Sequence, residues 1–280
     1  MSLPDAIKYF ESLVQKELGI TPSSLHLEAR LREVSSLLGM KSVEELHSRC
    51  ATFAEARLIS SVLDAVTNKE TSFFRDFKVF QAIEKDVLPS LVAEAAKLRR
   101  PLRIWSAACS FGQEPYTLAI VLTELRNAGF SFPVEIIATD VSSLALQRAT
   151  AGVYSHLEVQ RGLPAPLLLK YFSSKEKEWG LRSDIKAMVT FRKLNLLDDF
   201  TSMGTFDLLL CRNVLIYQTP ENKASILKRL YSRLNPHGFL LLGAAETMIG
   251  LSQDFEMFRF GQIVAYRRKS ELPIPVTVAA

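Results

Sequence analysis

From residue 103 to residue 269, short apolar runs take turns with segments of helical period. RIWSAAC (103–109), VEIIATD (134–140), MVTFRKLNLL (188–197), FDLLLCRNVLIY (206–217) and FLLLGAAE (239–246) each hold a run of strand length. Between them, EPYTLAIVLTELRNA (114–128), SSLALQRATAG (142–152) and the segment from Glu221 to Leu234 carry apolar residues at helical spacing. Strands joined through helices lie parallel, and a parallel sheet needs cover on both faces. The chain is therefore expected to adopt an α/β fold, doubly wound on a mostly parallel sheet. FRFGQIVAYRRK (258–269) reads as an antiparallel pair closing one edge.

Two stretches depart from the alternation. Residues 1–75 show only helical period: Ile7, Phe10, Val14 and Leu18, then Leu27, Leu31, Val34 and Leu38, then Leu58, Val62 and Val66. Thr21-Pro22 predicts the start of the second helix, Gly39 its end, and Ser42-x-x-Glu45 a capping box for the third. Residues 76–100 predict one further amphipathic helix, bent at Pro89. Residues 151–190 mix proline, glycine and charge, and read as an insertion between the second and third strands, a small hairpin subdomain.

Composition removes several functional classes. Three scattered cysteines (Cys50, Cys109, Cys211) form no CxxC pair, so neither a disulfide framework nor a redox motif is expected. The four histidines show no metal-ligand spacing. The net charge of +4 over 280 residues is too mild to suggest nucleic-acid binding. No run of 18 apolar residues is present, and the first twenty residues carry charges throughout, unlike a signal peptide. A cytoplasmic protein is expected.

Open parallel sheets bind ligands outside the carboxyl ends of their strands, so the chemistry should lie there. The first strand runs into Ser106-Ala107-Ala108-Cys109-Ser110-Phe111-Gly112-Gln113-Glu114, small residues leading into a helix. That is a nucleotide-site location or an ordinary strand–helix turn; GxGxxG is absent, which disfavours a pyrophosphate cradle. Asp140 ends the second strand, where a carboxylate can accept both hydroxyls of a ribose, or can cap the next helix. Asn195-Leu196 follows the third, facing a purine or forming a turn. Arg212, Asn213 and Tyr217 follow the fourth. Polar groups there belong in a pocket or at an edge, although Tyr217 also fits a core aromatic with a wet hydroxyl. Thr71-Ser72-Phe73-Phe74-Arg75-Asp76 reads as a packed joint with Arg75 paired to a carboxylate, or as part of the site.

Taken together, TNKETSFFRD (67–76), RIWSAACSFGQEPYTLAI (103–120), ATDVSSLALQRATAGVY (138–154), FRKLNLLD (191–198) and FDLLLCRNVLIY (206–217) resemble one family, the chemotaxis receptor glutamate methyltransferases. The resemblance spans nearly the whole chain, and five segments in this order are highly specific. It implies a seven-stranded methyltransferase sheet with an N-terminal helical substrate-recognition domain (1–76), a methyltransferase domain (77–280) and an antiparallel β subdomain inserted at about 153–190. It implies S-adenosylmethionine as cofactor, S-adenosylhomocysteine as product and no metal. Its substrates would be glutamates on the cytoplasmic helices of chemoreceptors. In some relatives the β subdomain grips a receptor C-terminal peptide, and residues 155–187 would do so by strand addition. A monomer is expected, recruited to membrane receptor arrays without entering the membrane.

By the same resemblance, Thr71 and Arg75 approach the cofactor from the linker, and Ala107 does so from the first strand. Glu114 meets its methionine part, Asp140 its ribose, and Asn195 and Leu196 flank its adenine. Arg212 and Asn213 lie beside it, and Arg75 and Tyr217 stand beside the reacting methyl group. Lys69 occupies a cofactor-contact position where many relatives carry asparagine. Arg30, Arg32, Arg49 and Arg57 are candidates for reading the receptor, although residues 1–77 carry a net charge of −2. Three rival readings keep the sheet: a small-molecule or RNA methyltransferase, a cofactor-sensing adaptor without activity, and a nucleotide-dependent dehydrogenase.

Overall fold

The computed structural model describes residues 2–53, 55–130 and 132–269. Four helices open the chain: α1 (Leu3–Leu18), α2 (Ser24–Leu37), α3 (Val43–Phe53) and α4 (Ala56–Val66). Their apolar stripes meet in a core of their own, with Phe10, Val14, Leu27, Leu31, Leu46 and Val62 fully buried. The second helix starts two residues later than Thr21-Pro22 predicts. Ser23 is the cap, its hydroxyl accepting the His26 N–H, so Pro22 stands outside the helix. Ser42 does accept the Glu45 N–H (3.3 Å), but the Glu45 carboxylate reaches one residue further back, to the Lys41 N–H (2.8 Å).

The helix expected over residues 76–100 runs on without a break in helical backbone, but a π-helical turn (Ile83–Val87) interrupts its period between α5 (Phe77–Ala82) and α6 (Leu88–Lys97). Pro89 lacks an N–H and its ring would strike the carbonyl four residues earlier; the wide turn moves that carbonyl aside.

The sheet follows: β1 (Leu102–Ala107), α7 (Gln113–Asn127), β2 (Val134–Asp140) and α8 (Ser143–Ala151). The insertion comprises β3 (Val153–Ser155), α9 (His156–Gln160), α10 (Ala165–Tyr171), β4 (Phe172–Lys175), β5 (Glu178–Leu181) and α11 (Ser183–Lys186). Then come β6 (Val189–Lys193), β7 (Phe206–Cys211), α12 (Pro220–Arg233), β8 (Leu234–Leu242), β9 (Phe255–Phe260) and β10 (Ile263–Arg268). The seven-stranded order is β6-β2-β1-β7-β8-β10-β9, with the first five strands parallel and the terminal hairpin antiparallel. The insertion forms a separate antiparallel sheet, β3-β5-β4, of three strands rather than a hairpin.

Adjacent residues on each central strand enter opposite cores. Ile104, Ile136 and Leu208 face α6 and α7 (Leu91, Leu118), whereas Trp105, Ile137 and Leu209 face α12 (Leu227, Leu230). Burial on both faces is why these strands read as unbroken apolar runs. Asn235-Pro236-His237-Gly238, a turn by its composition, lies inside β8. The register slips there, from Phe206↔Leu234 to Leu208↔Phe239, and such a bulge tolerates a residue without a donor. Among the described residues, no helix is long and apolar enough to cross a membrane.

Candidate active site

Strand order reverses around β1, and at that point a cleft of about 1520 Å³ opens over the carboxyl ends of the strands. The linker between α4 and α5 and the faces of α2 and α4 complete its wall. Lys69, Thr71, Arg75, Glu114, Asp140, Asn195, Leu196, Arg212, Asn213 and Tyr217, drawn from five separate stretches of sequence, all line it. Ala107 does not: it is buried in the sheet core, and Ala108, Ser110 and Phe111 form the wall there instead.

The loop after β1 carries two strained non-glycine residues, Ala108 (φ 56°) and Ser110 (φ 52°). It is held from three sides. The Cys109 N–H bonds the Thr139 carbonyl (2.9 Å), the Ser110 N–H bonds Asp140 Oδ2 (2.8 Å), and the Ser110 hydroxyl bonds the Lys69 carbonyl (2.8 Å). Asp140 also accepts the Ser142 N–H (2.9 Å), while the helix cap itself is Ser142, which takes the Ala145 N–H. Asp140 thus ties two strand ends together. Burial raises its pKa, against the opposing pull of those N–H groups and of Lys69. Lys69 donates to the Asp64 carbonyl and to Thr67 Oγ1 (2.7 Å), closing the end of α4, and burial lowers its pKa.

Arg212, with 1% side-chain exposure, is the hub of the far wall. It donates to Glu114 Oε2 (2.9 Å), to Asp76 Oδ2 (2.5 Å) and to the Arg75 carbonyl (3.1 Å). Ser106 supplies the other bond to Glu114 (2.7 Å). The linker backbone turns left-handed at Phe74 (φ 49°) and Asp76 (φ 60°), on either side of Arg75. Arg75 itself donates to the Glu70 carbonyl (2.9 Å) and, among the described residues, pairs with no carboxylate; the packed-joint reading had required such a pair. Tyr217 is 43% exposed, so it is not a core aromatic, and its hydroxyl accepts from Asn68 Nδ2 (2.7 Å). Asn195 forms the turn, accepting the Leu197 N–H (3.0 Å), and also donates to the Glu17 carbonyl at the end of α1 (2.5 Å).

Ser106, Asn68, Asp76 and Glu246 were not singled out from the sequence, though all four hold site residues in place. All four lie inside segments quoted above, Asn68 and Asp76 in the linker, Ser106 in the first strand and Glu246 at the end of FLLLGAAE, but nothing in their spacing marks them as supports of the site. Of the four arginines expected to read a partner, three are neutralised locally, Arg30 by Glu33, Arg32 by Glu28 and Arg49 by Glu55; Arg57 lines the cleft.

The family described as "CheR methyltransferase, SAM binding domain" matches residues 69–264. The chain belongs to the CheR methyltransferase family. Similar proteins extend the match to the helical region. "Chemotaxis protein methyltransferase 1" of Pseudomonas aeruginosa is 39% identical over 267 residues, covering 93% of this chain and 96% of that one. "Chemotaxis protein methyltransferase Cher2" of Pseudomonas putida is 36% identical over 247 residues, covering 87% and 89%. "Chemotaxis protein methyltransferase" of Vibrio parahaemolyticus is 36% identical over 268 residues, covering 95% and 96%. As a CheR methyltransferase the chain carries an S-adenosylmethionine-binding domain, and the matched range begins at Lys69, so it includes the linker. The residues on the cleft wall suit such a ligand. A half-buried carboxylate at the end of β2 can take a diol, Val141 and Leu196 offer apolar surface for a flat heterocycle, and the buried Arg212 Nε has no partner among the described residues.

Proposed function

We propose that this CheR methyltransferase transfers the methyl group of S-adenosylmethionine to glutamate side chains of bacterial chemoreceptors, giving glutamyl methyl esters. The observation that carries the reading is Arg75, a guanidinium on the cleft wall with no carboxylate partner among the described residues, sharing that wall with Tyr217. The bound cofactor supplies an electrophilic methyl group on a sulfonium. Asp140 would hold its ribose, Asn195 and Leu196 its adenine, and Glu114 the cationic end of its methionine part, with Thr71, Arg212 and Asn213 beside them. Lys69, engaged with the end of α4, would touch the cofactor through backbone rather than ammonium.

The acceptor needs no base. A glutamate with a reference pKa of about 4.3 is already an anion at neutral pH. Attack on a sulfonium cancels charge, so a drier cleft favours it, and the chain's task is to position and partly desolvate. Arg75 orients the incoming carboxylate; Tyr217 donates to it or shapes its path. Residues 1–76 then act as a substrate-recognition domain and residues 77–280 as the methyltransferase domain. The insertion, taken as about 153–190, is a candidate for gripping a receptor tail peptide. The protein would work as a cytoplasmic monomer brought to receptor arrays by its substrate.

Incubation with labelled S-adenosylmethionine and a panel of receptor cytoplasmic domains tests this. Base-labile label released as methanol is expected, and label that survives base would redirect the reading to nitrogen or carbon acceptors. Arg75→Ala and Tyr217→Phe should each cut turnover by about a hundredfold while leaving the melting temperature unchanged. Near-normal turnover in either variant removes that residue from the mechanism.

A further inference from the structure

Tyr217 is poorly held by its own side chain. It is 43% exposed, and among the described residues the only hydrogen bond of its hydroxyl is to Asn68. Its position must come from the backbone after β7, which leaves the sheet at Cys211, turns left-handed at Asn213 (φ 58°) and, among the described residues, has no strand partner for the N–H groups of 213–217. One side chain, 30 to 33 residues on, gathers three of them. Glu246 Oε2 accepts from Asn213 (2.8 Å) and Gly243 (2.7 Å), and Oε1 accepts from Val214 (3.0 Å) and Ile216 (3.1 Å). Charge-assisted bonds of this kind are the stronger class, and a carboxylate offers the lone pairs for all four. The loop is also pressed close: a Cβ on Gly243 would lie 2.7 Å from the Asn213 nitrogen and 2.8 Å from Glu246 Oε2.

We propose that Glu246 is the positioning residue of the active site, its carboxylate fixing the 213–217 loop and through it the Tyr217 ring. The assignment rests on the proposed role of Tyr217 in methyl transfer. Glu246→Gln keeps the shape but leaves one oxygen to accept, and turns an N–H₂ toward the remaining donors.

Two measurements on the full chain test this. In Glu246→Gln, amide exchange at Asn213, Val214 and Ile216 should quicken by about tenfold or more, with β1 and β2 unchanged. Unchanged exchange at those three amides overturns the proposal, whatever the enzyme does. The second measurement is turnover. Glu246→Gln should lower kcat by about tenfold or more, and the double variant with Tyr217→Phe should fall no more than about twofold below Tyr217→Phe alone, because two residues acting as a unit do not add. Fully additive losses, or an unchanged kcat, overturn it. A wild-type chain with no transfer to any receptor overturns the proposed function instead, and the exchange result still stands. Should Glu246→Gln fail to fold, Gly243→Ala displaces the same loop with the carboxylate intact and is expected to give the same non-additivity; additive loss in that pair counts against the proposal.

Discussion

Arg212 joins three segments of chain with one guanidinium. Its partners Glu114 and Asp76 belong to the first turn of α7 and to the linker, so removing it leaves a mostly buried carboxylate without its cation. Breaking such a pair costs about 3–5 kcal/mol. Arg212→Leu is accordingly expected to lower stability by about that much in denaturant titration and to abolish binding of S-adenosylhomocysteine by calorimetry; retention of both would show that the hub is ornamental. Asp140 gives a prediction in pH. Burial, the largest influence, holds its folded pKa above the ordinary 3.8. The sign follows from linkage: ionising a carboxyl whose pKa is raised by folding works against the fold. Its contribution to the free chain therefore falls as pH rises from 3.8 through the raised value. Ligand hydroxyls need the ionised form, so affinity for S-adenosylhomocysteine should rise across that window, with proton release on binding. An affinity flat from acid to neutral pH would take Asp140 out of the site.

Elements are joined at the amino ends of the strands by a different carboxylate. Asp207, near the start of β7, accepts two bonds from Arg100 (2.7 and 2.6 Å), one from the Arg103 N–H on β1 (2.9 Å) and one from Asn235 on β8 (2.7 Å). Burial pushes its pKa up, but these bonds outweigh burial and hold the carboxyl below 3.8. The staple is therefore at full strength above pH 3.8 and is lost as pH falls through the lower folded value. Asp207→Asn should lose about 3 kcal/mol at neutral pH and progressively less in acid, as read from unfolding curves at several pH values; a pH-independent loss would point to packing instead.

The strands and their ends were legible because burial on both faces writes apolar runs and the ligand edge interrupts them with polar residues. The β8 bulge, the π turn and the Ser23 cap were not legible. Each is a local choice settled by a partner elsewhere or by a one-residue competition between neighbours. The holding roles of Glu246 and Asn68 could not be read from the sequence, because the loop they grip stands 30 to 149 positions away. Ala107 turns its side chain into the sheet core because the pleat alternates faces, and the cleft wall begins at Ala108.

At the scale of the whole molecule, the helical unit hangs on the sheet by the end of α1. A helix C-terminus leaves carbonyls without partners, and here three amide side chains supply them. Asn195 takes Glu17 (2.5 Å), Gln218 takes Leu18 (2.9 Å) and Asn222 takes Gly19 (3.3 Å). Gly19 (φ 71°) allows this approach: a Cβ there would sit 2.4 Å from both Asn222 Nδ2 and Gln218 Oε1. Such bonds contribute about 1 kcal/mol each. Gln218→Ala with Asn222→Ala should therefore loosen the joint by about 2 kcal/mol, seen as faster proteolysis between α1 and α5 with the sheet intact; an unchanged cleavage rate would mean that apolar contacts alone hold the two parts together.

The linker, finally, is fastened along its whole run. Asn68 holds Tyr217, the Lys69 carbonyl takes Ser110, the Phe73 ring lies against Tyr154 and Phe172 (4.9 and 5.4 Å), the Phe74 N–H bonds Thr117 (3.1 Å), and Asp76 meets Arg212. A strand of chain pinned at five of its nine residues from 68 to 76 has little slack to share out. Arg75 is set like a mark on a taut tape: substituting an exposed neighbour leaves the mark where it was, whereas inserting or deleting a single residue drags it away from its reading point.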